Sequence, residues 1–233
     1  MEIFRNIGAE FIISPQELAT KLNFIKAFVF DWDGVWNNGI KSPETSSPYA
    51  EPDSMGTNLL RYECWSRSQE MPIMAIITGA DNPTAIQLAE REHFQAVYSR
   101  TRDKKQAIQH LCEHFNIHPI QVACVFDDVN DLAMAKICGL RFQVRRKASP
   151  LLMYYTKRNQ LCDYITGNEG GTYAIREICE MLMELNDNYD QVIEDRVEFS
   201  AAYQKYFAER KAIRPSYFIT VNQSIQAQEI PEI

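Results

Sequence analysis

The chain has no positive charge to spare: 24 Lys and Arg stand against 31 Asp and Glu, a formal net charge of -7. Nucleic acid and anionic membranes both reward an excess of basic side chains, so neither is expected as a partner. No apolar run reaches the roughly 18 residues that cross a bilayer. The opening MEIFRNIGAE also lacks the basic-then-apolar order of a secretory leader, and a cytoplasmic protein is expected. The cysteines at 64, 112, 124, 138, 162 and 179 include no CxxC pair and no metal-ligand spacing. In a chain of 233 residues, which needs no disulfide staples, they read as reduced and buried thiols. Histidine is scarce. His110, His114 and His118 recur every four residues, but Ala107, Ile108, Leu111, Cys112 and Phe115 make the apolar face of the helix expected there. His110 then points away from that face, His114 borders it, and His118 falls past the helix end before Pro119; a polar face explains the spacing without a metal. Internal repeats and low-complexity segments are missing as well.

What is present is a 45% hydrophobic content, enough for a real core. Ser14, Pro15 and Glu17 make a capping box with Pro at the first helical position, which predicts a short helix over 15–22. Elements then alternate. Strand-like runs at 26–30, 73–77, 96–98, 122–126 and 141–144 are mostly continuous in apolar character, the habit of strands buried on both faces. Helical patterns lie between them near 55–69, 83–92, 103–116 and 130–138. The alternation predicts an α/β fold, a three-layer sandwich around a doubly wound parallel sheet. Residues 34–54 carry turn residues and three prolines, and are expected to form a small flap after the first strand. Past about 185 a charged helix with Val192, Val197, Phe199, Tyr203 and Phe207 is expected, then a tail from Pro215 without a period. The expected organisation is a main domain over 1–185 and a C-terminal helical extension and tail over 186–233.

Residues 28–34 read FVFDWDG, an apolar run that ends in two carboxylates two positions apart. On a strand Asp31 and Asp33 share a face, where their mutual repulsion needs a positive partner. In a doubly wound sheet, ligands bind outside the carboxyl ends of the strands. There the strand at 26–30 runs into Asp31 and Asp33, that at 73–77 into Thr78 and Gly79, and that at 122–126 into Asp127, Asp128 and Asp131. Each fragment has a plainer explanation by itself. DxDG makes a turn, Thr-Gly an ordinary strand exit, and Lys104 beside Lys105 a solvated face; FDDVND suits a helix N-terminus. Their order argues for one site.

Taken together, Asp31, Asp33 and Gly34, then Thr78, then Lys104, then Asp127, Asp128 and Asp131 resemble the four signature motifs of the haloacid dehalogenase superfamily of phosphohydrolases. The DGV of 33–35, Gly39, the IITG of 76–79 and GGTYAIREICEML at 170–182 are similar to the branch of 3-deoxy-D-manno-octulosonate (KDO) 8-phosphate phosphatases and related sugar phosphatases, over roughly 24–185. The resemblance implies Asp31 as nucleophile toward phosphorus and Asp33 as general acid and base. It also implies Mg²⁺ on Asp31, Asp127 and the Asp33 backbone carbonyl, with Asp128 and Asp131 orienting these groups. Thr78 and Lys104 would stabilise the phosphoryl group, Lys104 being chosen over Lys105 by its spacing to Asp127. Gly79, Asp53, Tyr173 and Arg176 would serve the substrate, a small phosphorylated sugar or sugar acid, in a homo-oligomer, expected as a tetramer. Some positions depart from the branch: Ala80 and Pro52 stand where arginines able to pair with a sugar-acid carboxylate are usual. A catalytically lapsed member serving as an oligomeric binding subunit is the competing reading, and a sugar-phosphate mutase a third. Against the mutase, the insertion is short for a helical cap.

Overall fold

The apolar run that precedes Asp31 is the central strand of a sheet. The computed structural model of the protein describes residues 1–41 and 47–229. Along the chain the strands are β1 (Glu10–Phe11), β2 (Ala27–Asp31), β3 (Ile73–Ile77), β4 (Ala96–Ser99), β5 (Val122–Phe126), β6 (Leu140–Arg145), β7 (Tyr164–Glu169), β8 (Ser216–Val221) and β9 (Ser224–Ala227). The helices are α1 (Glu2–Asn6), α2 (Pro15–Leu22), α3 (Glu51–Ser68), α4 (Pro83–Glu92), α5 (Lys104–Phe115), α6 (Leu132–Ala135), α7 (Pro150–Arg158), α8 (Ala174–Leu185), α9 (Tyr189–Val197) and α10 (Ala201–Lys211).

The sheet order is β1-β7-β6-β5-β2-β3-β4-β8-β9, parallel from β7 to β8 with β1 and β9 antiparallel at the edges. From β2 the chain winds outward through β3 and β4, and from β5 in the other direction through β6 and β7. The order therefore reverses between β2 and β5, the place where such sheets open a ligand crevice. Strand pleating divides the core accordingly: Phe28 and Phe30 face one apolar layer with α3 and α8, while Ala27 and Val29 face the other with α5. The α/β sandwich expected from the alternation is observed.

Several elements differ from the sequence expectation. Helix α3 starts at Glu51, with Pro52 in its first turn, so the chain between β2 and α3 is shorter than the expected insertion at 34–54; its residues 42–46 lie outside the described ones. Helix α7 and strand β7 were not anticipated, nor were α1 and β1. Past 185, two helices stand where one was expected, broken at 198–200; α10 packs Tyr203 and Tyr206 on Tyr62 and Trp65 of α3, and Asp195 of α9 accepts from the Tyr62 hydroxyl at 2.7 Å. The expected tail is instead the β8–β9 hairpin, with β8 pairing in parallel with β4. The Tyr, Phe, Ile, Thr and Val of SYFITV suit a pleated surface, and Asn222 and Gln223, at φ 47° and 63°, make the tight turn that matches strand twist. His110 is used structurally: its Nδ1 lies 3.0 Å from the Tyr98 hydroxyl and its ring packs on Phe218 of this hairpin. All six cysteines are free, Cys64 half-buried and the others buried.

Candidate active site

At the carboxyl ends of β2 and β5 lies an open cleft of about 480 Å³. Asp31 ends β2, Asp127 follows β5, and Asp131 sits in the single 3₁₀ turn that follows Asp128. These three buried carboxylates can each offer an oxygen within 4.8 Å of the others. Oδ1 of Asp127 is buried and has no hydrogen-bond partner among the described residues. Gly34 makes room for this carboxylate: at φ +90° a Cβ there would lie 2.0 Å from Asp127 Oδ2. A compact set of oxygen donors with an unpartnered oxygen fits a hard divalent cation such as Mg²⁺.

Electrostatics agree with that fit. Burial, then the charge of Asp131, pushes the Asp31 carboxyl up to about 7 against the pull of Lys104. Burial, then the charges of Asp31 and Asp131, pushes Asp127 up to about 8, opposed by Arg146. Lys104 opens α5 behind the cap that Asp103 makes to Gln106 N at 3.1 Å, and its ammonium meets both Asp31 and Asp131. Burial works to lower the Lys104 pKa, but the two carboxylates overcome it and hold it above its ordinary value. Lys105 is exposed, and of the two lysines Lys104 lines the cleft.

Asp33 stands at the rim, its carboxylate accepting from Lys41, from Ser47 Oγ at 3.0 Å and from Asn82 Nδ2 at 3.1 Å. Thr78, directly after β3, is buried, and its Oγ1 accepts from Asn82 Nδ2 at 2.7 Å. Gly79 and Asp128 line the cleft; Asp128 also caps the turn at Val129 N, 2.7 Å. Asp131 Oδ2 accepts from the Asp128 amide at 3.2 Å and so shapes the loop that carries Asp127.

Three of the expected substrate residues lie elsewhere in the chain. Asp53 is fully buried under α8, where its Oδ1 accepts from Arg176 N at 2.8 Å, and burial pushes its carboxyl up to about 6. Arg176 pairs with Glu180 at 2.6 Å, and Tyr173 is 52% exposed; neither lines the cleft. Conversely, sequence reading passed over Lys41, Asn82, Arg102 and Arg146. Arg146 reaches Asp127 Oδ2 at 3.4 Å and donates to the Asn38 carbonyl at 3.1 Å. Its signal was available: a basic run, Arg145-Arg146-Lys147, stands at the carboxyl end of β6, a fourth strand end beside the site.

Comparison with known proteins gives a consistent picture. Residues 73–153 match the family of haloacid dehalogenase-like hydrolases. The 3-deoxy-D-manno-octulosonate 8-phosphate phosphatase KdsC of Salmonella typhimurium is 28% identical over 183 residues, 77% of this chain and 89% of that protein. The enzyme of the same name from Escherichia coli K12 is 27% identical over 179 residues, 75% of this chain and 88% of its own. Among solved structures, the Moraxella catarrhalis 3-deoxy-D-manno-octulosonate 8-phosphate phosphatase, in complex with magnesium, phosphate and KDO, superposes with a TM-score of 0.63 at 26% identity, over 79% of this chain and 99% of that one.

Proposed function

We propose that the chain, which resembles the KDO 8-phosphate phosphatases, is a haloacid dehalogenase-type, Mg²⁺-dependent phosphomonoester hydrolase that acts on a phosphorylated sugar or sugar acid through an aspartyl phosphate on Asp31. The observation that carries this reading is the buried cluster of Asp31, Asp127 and Asp131, with its unpartnered Asp127 oxygen, facing Lys104 at the sheet's reversal point. Asp31 and Asp127 side chains and the Asp33 carbonyl would hold Mg²⁺, which when bound neutralises phosphate charge and lets a carboxylate approach phosphorus. Asp31 attacks phosphorus, forming its bond as the bond to the sugar oxygen breaks. Asp33 gives that oxygen its proton, then takes one from the water that releases inorganic phosphate and restores Asp31. Lys104 holds Asp31 and neutralises the transferring group with Thr78, both set in place before the reaction. Asp128 and Asp131 shape the loop that presents Asp127.

On the substrate side, Gly79, Lys41, Arg102 and Arg146 give the cleft small and cationic walls suited to a polyanionic ester. Tyr173, Arg176 and Asp53 lie outside the cleft of their own protomer, so any substrate role for the exposed Tyr173 requires a second copy of the chain; the homo-oligomer implied by the resemblance is a tetramer. Six free thiols suit a reducing, cytoplasmic setting. The test is phosphate release from a panel of sugar and sugar-acid phosphates with Mg²⁺ and with chelator, beside Asp31→Asn. Metal-dependent turnover that the variant loses supports the proposal. Silence across the panel from folded protein refutes it in favour of a binding subunit.

A further inference from the structure

Asn82 occupies the N-cap of α4, where an asparagine ordinarily accepts from a backbone amide of the first turn. Here it makes no such bond. Its side chain, 5% exposed, turns instead to two groups of the cleft, with Nδ2 at 2.7 Å from Thr78 Oγ1 and 3.1 Å from Asp33 Oδ2. The amide nitrogen donates to both oxygens, so both of its hydrogens are committed.

The consequence at Thr78 follows from counting. A hydroxyl has two acceptor lone pairs and one hydrogen. Thr78 Oγ1 accepts from Asn82 Nδ2 and, at 3.3 Å, from Ala80 N. With both lone pairs used, the hydroxyl can only donate, and among the described residues nothing accepts from it. Asp33 is held by the same amide, which leaves its carboxyl tied to the phosphoryl-binding residue rather than free to rotate. We propose that Asn82 is a positioning residue that sets the Thr78 hydroxyl as a donor to the phosphoryl group and holds Asp33 at the leaving oxygen. The inference rests on the phosphatase reading of the cleft.

The test compares kcat/KM on p-nitrophenyl phosphate, whose leaving oxygen needs little protonation, with that on the best sugar phosphate of the panel, which needs it fully. In Asn82→Ala the aryl ester should lose about 10-fold through Thr78 alone, and the sugar ester about 100-fold or more through Thr78 and Asp33 together. Inhibition by inorganic phosphate should weaken in parallel with the aryl ester, and Asn82→Gln, which keeps the donors, should recover part of both rates. If Asn82→Ala does not fold, Asn82→Asp keeps the shape, removes the donors and is read in the same way. Equal losses on both esters, or none, overturn the inference alone. Wild-type protein that hydrolyses neither ester overturns the phosphatase reading and the inference with it.

Discussion

Replacing Lys104 by Met separates the charge of this residue from its bulk. The side chain is 4% exposed and meets both Asp31 and Asp131, which are 6% and 1% exposed. Met fills much of the same space with an adaptable apolar chain, so the loss is chiefly electrostatic. Deleting one partner of a buried ion pair costs about 3–5 kcal/mol, because the other charge is left uncompensated. A domain holds only about 5–15 kcal/mol in total, so the variant should fold but only marginally. Magnesium then discriminates between explanations. The carboxylates that lose the ammonium should bind Mg²⁺ more tightly, and binding at a hundred times Kd returns about 2.7 kcal/mol to the native state. The assay is urea unfolding of wild type, Lys104→Met and the exposed control Lys105→Met, each with chelator and with Mg²⁺. We expect a loss of about 3 kcal/mol or more with chelator, a smaller gap with Mg²⁺, a silent control, and no turnover by Lys104→Met. A loss below about 1 kcal/mol, or a gap that Mg²⁺ leaves unchanged, would refute the account of Lys104 as counter-charge to the acidic cluster.

Gly34→Ala should combine backbone strain of about 1–2 kcal/mol at φ +90° with displacement of the Asp127 carboxylate, since the new Cβ would lie 2.0 Å from Oδ2. The Mg²⁺ concentration for half-maximal phosphate release should rise about tenfold or more; an unchanged requirement would mean that Asp127 does not ligate the metal. Asp53→Asn probes a buried carboxyl pushed up to about 6 by burial, with the Arg176 and Ile175 amides opposing. A raised carboxyl favours the protonated folded state, so its ionisation costs stability progressively as pH rises from about 4 to about 6, and fully above. The variant should match wild type near pH 4 and exceed it at pH 7 by up to about 3 kcal/mol; urea unfolding at the two pH values with no such divergence would show Asp53 to be stabilised as the anion.

Asp31, Thr78 and Asp127 were legible as a candidate site because each ends or directly follows an apolar strand, and strand ends in a doubly wound sheet converge by topology. Asp53 lies away from the cleft for an equally physical reason. It begins a helix, and only the docking of α8 turns its carboxylate inward to meet the Arg176 amide. Asn82 stands at a helix N-cap, and its diversion to Thr78 and Asp33 depends on how β3 and α4 are set against the loop after β2. The hairpin at 216–227 carried a local signal in its alternating β-branched and aromatic residues, but β8 gains its stability from β4, more than a hundred residues earlier.

Local pattern by itself determined the fold class and the order of the candidate site groups, because hydrophobic periodicity and strand-end position are properties of short segments. Contacts between distant segments decided the rest. Long-range packing buried Lys104 between two carboxylates, brought Arg146 to Asp127, withdrew Asp53 from the cleft and placed a C-terminal strand on the sheet edge. Burial and charge proximity arise only when such segments meet, and they are the quantities that turn a set of carboxylates into a candidate site for metal and phosphate.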